Sequence, residues 1–164
     1  YYLIIYNMHG YDKRDTFKLI LESESADTSV EASGQFNYKI NLPARKVNYQ
    51  KFYLFVDNFQ ICLKGLTTES VQVKATLPQY NSFNSRTKAN NVAIATVFNP
   101  NTASGRTADL TLGYQNPNAP IEINSLPQDI RLDLIEMGGS GIDMSGANQF
   151  FMIDLRIEAY YDME

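Results

Sequence analysis

The sequence holds one cysteine, one histidine and no tryptophan among its 164 residues. A lone thiol, Cys62, excludes an internal disulfide framework and a multi-cysteine zinc site. It sits in the apolar run FYLFVDNFQICL, where a buried, inert thiol is expected; an intermolecular disulfide is the alternative. The lone histidine, His9, excludes a histidine-rich metal site. A Ser-His-Asp triad would hang on that single residue in an N-terminal loop, and no Gly-x-Ser-x-Gly elbow is present to supply the nucleophile. His9 therefore reads as an ordinary loop residue. Basic charge is also scarce: 14 Lys and Arg stand against 18 Asp and Glu, a formal net charge of -4. The two signs are interspersed, with no face able to neutralise a phosphate backbone, so no nucleic-acid partner is expected. No apolar run approaches the about 20 residues that cross a bilayer. The opening YYLIIY is too short for a signal-peptide core and has no basic leader. None of the 15 asparagines lies in an Asn-x-Ser/Thr acceptor, which fits a protein that does not meet the glycosylation machinery.

What the sequence has in abundance is period two. In TFKLILE, Phe17, Leu19 and Leu21 share one side while Lys18 and Glu22 share the other. QFNYKINL sets Phe36, Tyr38, Ile40 and Leu42 against Asn37, Lys39 and Asn41. SVQVKATL alternates Val71, Val73, Ala75 and Leu77 with Gln72, Lys74 and Thr76. FMIDLRIEAYY sets Phe151, Ile153, Leu155, Ile157 and Ala159 against Met152, Asp154, Arg156, Glu158 and Tyr160. Successive side chains of a strand point to opposite faces, so each run predicts a half-buried antiparallel strand. Ser-, Asn-, Gly- and Pro-rich stretches separate the runs and supply turn geometry.

About eight to ten strands follow, near 2–6, 16–22, 35–42, 51–63, 70–77, 92–98, 109–114, 121–123, 129–137 and 149–161, with little or no helix. The expected fold is all-β: a single jelly-roll (Greek-key) antiparallel sandwich occupying 1–164 as one domain. Phe17, Leu19, Leu132, Leu134, Ile153 and Leu155 are expected in its shared core. In a jelly roll the first and last long strands lie side by side, and the two cleanest alternating segments are near the two ends. Two strands depart from one-sidedness. Segment 51–63 sets Phe52, Leu54 and Val56 against Tyr53, Phe55, Phe59 and Ile61, and VAIATVF is apolar on both sides. Such strands need a second cover, from loops or from a partner chain.

The candidates for chemistry are few. GGSGIDMSG at 138–146 lacks the Lys-Ser/Thr of a P-loop and precedes a strand. It is expected to be a flexible crossing loop, or a contact loop whose glycines let a neighbouring backbone approach. Asp133, Glu136, Asp154 and Glu158 are the acids available for glycosidase chemistry, but they fall on polar strand faces where solvated charges are expected. Asp57 with Asn58, and Asp143 with Asn148, offer oxygen ligands for calcium without the spacing of an EF-hand loop. Eleven tyrosines without a tryptophan make a modest sugar platform. No catalytic residue, metal site or cofactor is therefore expected.

The segment FKLILESESADTSVEASGQFNYKINLP, followed by NYQKFYLFVDNFQI, resembles the opening of small jelly-roll capsid proteins. These are the minor capsid and penton proteins of large eukaryotic DNA viruses and virophages. The shared layout is a first strand (Phe17 to Leu21), a Ser/Asp-rich loop (Ser23 to Ser33), a short F-x-x-x-I-x-L-P strand (Phe36 to Pro43) and a long apolar strand (Tyr53 to Ile61). The Pro-containing turn that often follows that strand is replaced here by DNFQICLKG. The resemblance implies a structural virion protein, penton or cementing, with no enzymatic residues. It also implies other capsid proteins as partners, in a homo-oligomer or hetero-assembly formed inside the host cell. Contacts are expected from the long polar loops 23–34, 78–91, 99–108 and 138–149, because loops of that length are uncommon unless they have a task. The alternative is a carbohydrate- or receptor-binding sandwich of lectin-like, TNF-like or fibre-head type. A glycan-active enzyme is a third reading.

Overall fold

A computed structural model of the chain describes residues 4–6, 14–43, 46–63, 70–77, 92–98, 110–114, 120–136 and 139–161. Their elements run β1 (Ile4–Tyr6), β2 (Arg14–Glu22), β3 (Thr28–Val30), β4 (Gln35–Lys39), β5 (Tyr49–Leu63), β6 (Ser70–Thr76), β7 (Val92–Phe98), β8 (Leu110–Tyr114), β9 (Ile121–Ile123), β10 (Asp129–Glu136) and β11 (Phe150–Tyr161). Two single-turn 3₁₀ helices, Ser23–Ser25 and Glu31–Ser33, flank β3. The expected strands are present, and β3 adds one inside the stretch read as loop 23–34.

The strands form two antiparallel sheets. The larger has the order β1-β2-β11-β5-β8, with β9 also paired to β5, and the smaller has the order β3-β4-β10-β6-β7. The order follows from folding one long hairpin back on itself. β2 pairs with β11, β4 with β10, β5 with β8 and β6 with β7. The doubled ribbon then wraps so that β11 also joins β5 and β10 also joins β6. That is the jelly roll, with the first and last long strands adjacent as expected.

Alternation places the core between the sheets. Phe17, Leu19, Leu132, Leu134, Ile153 and Leu155 are all buried in one hydrophobic cluster, each contributing about 1.5–3 kcal/mol on burial. The rings of Phe36 and Phe151 meet edge to face across the sheets at 4.8 Å. Tyr38 is buried with them, and its hydroxyl donates to the Glu22 carbonyl at 2.9 Å. Burial pushes that phenol above its ordinary range, and the nearby Glu22 charge adds to the shift.

The doubly apolar reading of 51–63 is corrected by a bulge. The register runs from Asp154↔Asn58 to Leu155↔Val56, so Asp57 is an extra residue in β5. One extra residue inverts the parity of everything beyond it. Phe59 and Ile61 thereby join Phe52, Leu54 and Val56 in the core, and Cys62 turns to the outer side, half-buried. A similar shift in β7, between the partners of Val73 and Lys74, lets Ile94, Ala95 and Val97 all be buried.

Candidate functional site: the outer face of the larger sheet

The bulge and the alternation together build the outer face of β2, β11 and β5. Register sets Lys18, Arg156 and Phe55 in one row, Thr16, Glu158 and Tyr53 in the next, and Arg14, Tyr160 and Lys51 in a third. Residues two apart on a strand share a face, so Arg156, Glu158 and Tyr160 stand in line on β11. Glu158 is 6% exposed. Its Oε2 accepts from Arg14 Nη1 at 2.9 Å and from the Tyr160 hydroxyl at 2.8 Å, and its Oε1 accepts from Arg156 Nη1. Arg156 Nε also donates to both oxygens of Asp57, at 3.1 and 3.2 Å. The Arg156 guanidinium lies 4.1 Å above the Phe55 ring, and Tyr53 and Tyr160 meet edge to face at 5.7 Å.

Two arginines and two carboxylates thus cancel in charge while their side chains are held in fixed positions. Within the sheet Tyr53 packs on Tyr160 and Phe55 under Arg156, and both remain half-buried. Asp154 lies one row beyond, opposite Asn58 and Ile20. Its Oδ1 is buried with no hydrogen-bond partner among the described residues. Desolvation raises its pKa, although the Lys18 charge and a bond from Asn58 act the other way.

The acids weighed for catalysis are not brought together. Asp133 and Glu136 belong to β10 in the smaller sheet, Asp154 and Glu158 to β11 in the larger. Four residues along one strand span about 13 Å, beyond the about 5–9.5 Å that glycosidase acids require. Two of them also depart from the expected solvated state. Glu158 is buried among its partners, and Asp133, 8% exposed, accepts from Arg131 Nε at 3.0 Å. The oxygens considered for calcium are likewise engaged. Asp57 holds Arg156, and Asp143 Oδ1 accepts from the Ser145 amide and hydroxyl at 2.9 and 2.6 Å, which lowers its pKa. Among the described residues, no group of three or more His, Cys, Asp and Glu side chains could hold a metal ion. His9 and the loops 78–91 and 99–108 lie outside the described residues.

The glycine-rich segment proves to be a fitted corner. Gly141 packs on the 3₁₀ turn so closely that a Cβ would stand 2.2 Å from the Ser33 carbonyl oxygen. At Gly34, with φ of +65°, a Cβ would meet the Leu134 carbonyl oxygen at 2.6 Å. Backbone bonds from Ile142 to Leu134 (3.0 Å) and from Met144 to Glu31 (2.9 Å) fix the arrangement, and Ile142 and Met144 are buried. Among the described glycines of this segment, Gly141 makes a close approach to a neighbouring backbone, and that backbone is the chain's own, whereas Gly139 has open space around it. Beside this corner, Glu22, Glu24, Gln60, Phe150 and Met152 line a shallow cleft of about 290 Å³. Phe150 is 43% exposed at its mouth.

None of the helices among the described residues is long and apolar enough to cross a membrane. Compared with known proteins, the chain matches no family model and no curated protein. Among solved structures it is similar to a chain described as "nora virus structure", with a TM-score of 0.24 and 14% sequence identity. The match covers 96% of this chain and 63% of that one, so this chain spans less than two thirds of its neighbour. A superposition this loose carries no argument about activity or partners.

Proposed function

We propose that the protein is a structural virion component, a penton or a cementing minor capsid protein, and that it works by contact and not by catalysis. The observation that carries this reading is the outer face of β2, β11 and β5. Arginine and tyrosine side chains are the types that anchor protein interfaces, and here they are fixed by one another before any partner arrives. A surface ordered in advance loses little side-chain freedom on docking. The jelly-roll topology and the resemblance of residues 17–61 to small capsid proteins point the same way. Partners would be copies of this chain or other capsid proteins, the location the virion, and no cofactor or nucleic acid would be required.

Light scattering of the native protein, with and without added salt, tests the reading. A closed oligomer or a larger assembly is expected, and a stable monomer under both conditions would contradict it. A second reading, a carbohydrate- or receptor-binding sandwich, draws on the cleft that sets Phe150 beside two carboxylates and an amide. Saturable shifts of the Phe150 and Gln60 resonances with a panel of oligosaccharides would favour it.

A further inference from the structure

We infer that the β3 edge of the smaller sheet is an acceptor for an extended segment of another chain, one that carries basic residues at both ends of its paired stretch. β3 is the terminal strand of its sheet. It pairs with β4 through Thr28↔Asn37, Ser29↔Phe36 and Val30↔Gln35, and among the described residues it has no strand on its other side. All three of its residues are exposed, and Val30 is 55% exposed, so among the described residues nothing covers the edge. Proteins blunt such an edge with short strands, charges, proline, a bulge or a covering element; β3 is blunted by its three-residue length and by the acids at its ends, which disfavour a strand of like charge and leave one of opposite charge. Thr28, Ser29 and Val30 include no lysine or proline, and their register is unbroken. Two of the three are β-branched, the type that suits a strand pair.

The flanking charges select the occupant. Asp27 and Glu31 bracket β3 and are both exposed, Asp27 with one carboxylate oxygen accepting from the Lys39 amide at 2.6 Å, and the stretch 22–34 holds four acids and no Lys, Arg or His. Antiparallel pairing of two copies of this edge about Ser29 would set Asp27 of one against Glu31 of the other, twice. Like charges directly opposite are destabilising, which disfavours self-pairing. An incoming strand with lysine or arginine at those two positions reverses both signs, and a β-branched or aliphatic residue opposite Val30 covers its exposed surface. Strand addition takes its affinity from main-chain bonds and its selectivity from side chains. A three-residue edge gives a weak contact that gains strength only when repeated in an assembly.

The inference rests on the assembly reading only for the existence of a partner chain, and its test reads the edge whether or not particles form. The full chain, labelled with ¹⁵N, is titrated with a blocked pentapeptide of valine and threonine flanked by lysines. The control is the same peptide flanked by glutamates. Saturable shifts at residues 27–31 are expected, with the lysine peptide binding at least about tenfold tighter. Ser29→Pro should abolish those shifts, and Glu31→Lys, which leaves the strand backbone intact, should weaken the lysine peptide and strengthen the control. Equal affinity for the two peptides, shifts confined to other residues, or dimerisation of the unliganded chain through this edge would each overturn the inference.

Discussion

The two faces of β11 are made by the same backbone and do different work. Inward, Phe151, Ile153, Leu155, Ile157 and Ala159 are fully buried members of the hydrophobic core cluster. Outward, Arg156, Glu158 and Tyr160 are bound to one another, to Arg14 and to Asp57. Hydrophobic burial has no direction, so the inner face tolerates any side chains of the right volume. The outer face depends on bond geometry, because a buried carboxylate is stable only while its partners are in place. The inner face therefore holds the fold together, and the outer face fixes a surface.

Substitutions sharpen this contrast. Phe151→Ala, which removes a ring packed edge to face on Phe36, should cost about 3–5 kcal/mol in urea denaturation. Glu158→Ala should cost less, about 2–3 kcal/mol, because its arginine partners are roughly one quarter exposed and water compensates part of the loss. The loss in Glu158→Ala should shrink when Arg14 is also replaced by alanine. An additive double mutant would show that the outer face is not a coupled network. Gly141→Ala tests a third kind of contact, backbone on backbone. Displacing the Ser33 carbonyl should cost about 1–3 kcal/mol, read as a lower melting temperature.

The smallest effect is at Asp154. Its native pKa is raised by desolvation above the ordinary value of 3.8, so the folded chain holds this proton more tightly than the unfolded chain. Stability from that proton is full below the ordinary value and is lost as pH rises through the native one. Asp154→Asn should therefore raise the melting temperature at pH 7 and leave it nearly unchanged at pH 3. The opposite order would show that the Lys18 charge outweighs burial.

What could be read from the sequence follows the same division. The inward rows of β2, β4, β6 and β11 were legible because apolar alternation is a local pattern. The bulge at Asp57 is not, because it exists only in the pairing of β5 with β11, and so the local pattern puts Phe59 and Ile61 on the wrong face and predicts a buried Cys62 where the thiol is half-buried. β3 is three residues long, too short to show a period. Glu158 has Arg156 and Tyr160 beside it on the same strand face, yet it reads as a solvated acid because Arg14, which completes its set of partners, is 144 residues away in the chain. The glycines of 138–146 announced a close approach, yet nothing local named Ser33 and Glu31 as the backbone approached.

If the outer face of β2, β11 and β5 is a contact surface, sedimentation velocity will separate the wild-type chain from Tyr53→Ser. Tyr53 is half-buried on that face, and its loss should leave the circular-dichroism spectrum unchanged. The expected result is an oligomer for the wild type and a folded monomer for Tyr53→Ser. A wild-type monomer, or an oligomer of unchanged mass and affinity in the variant, would contradict it.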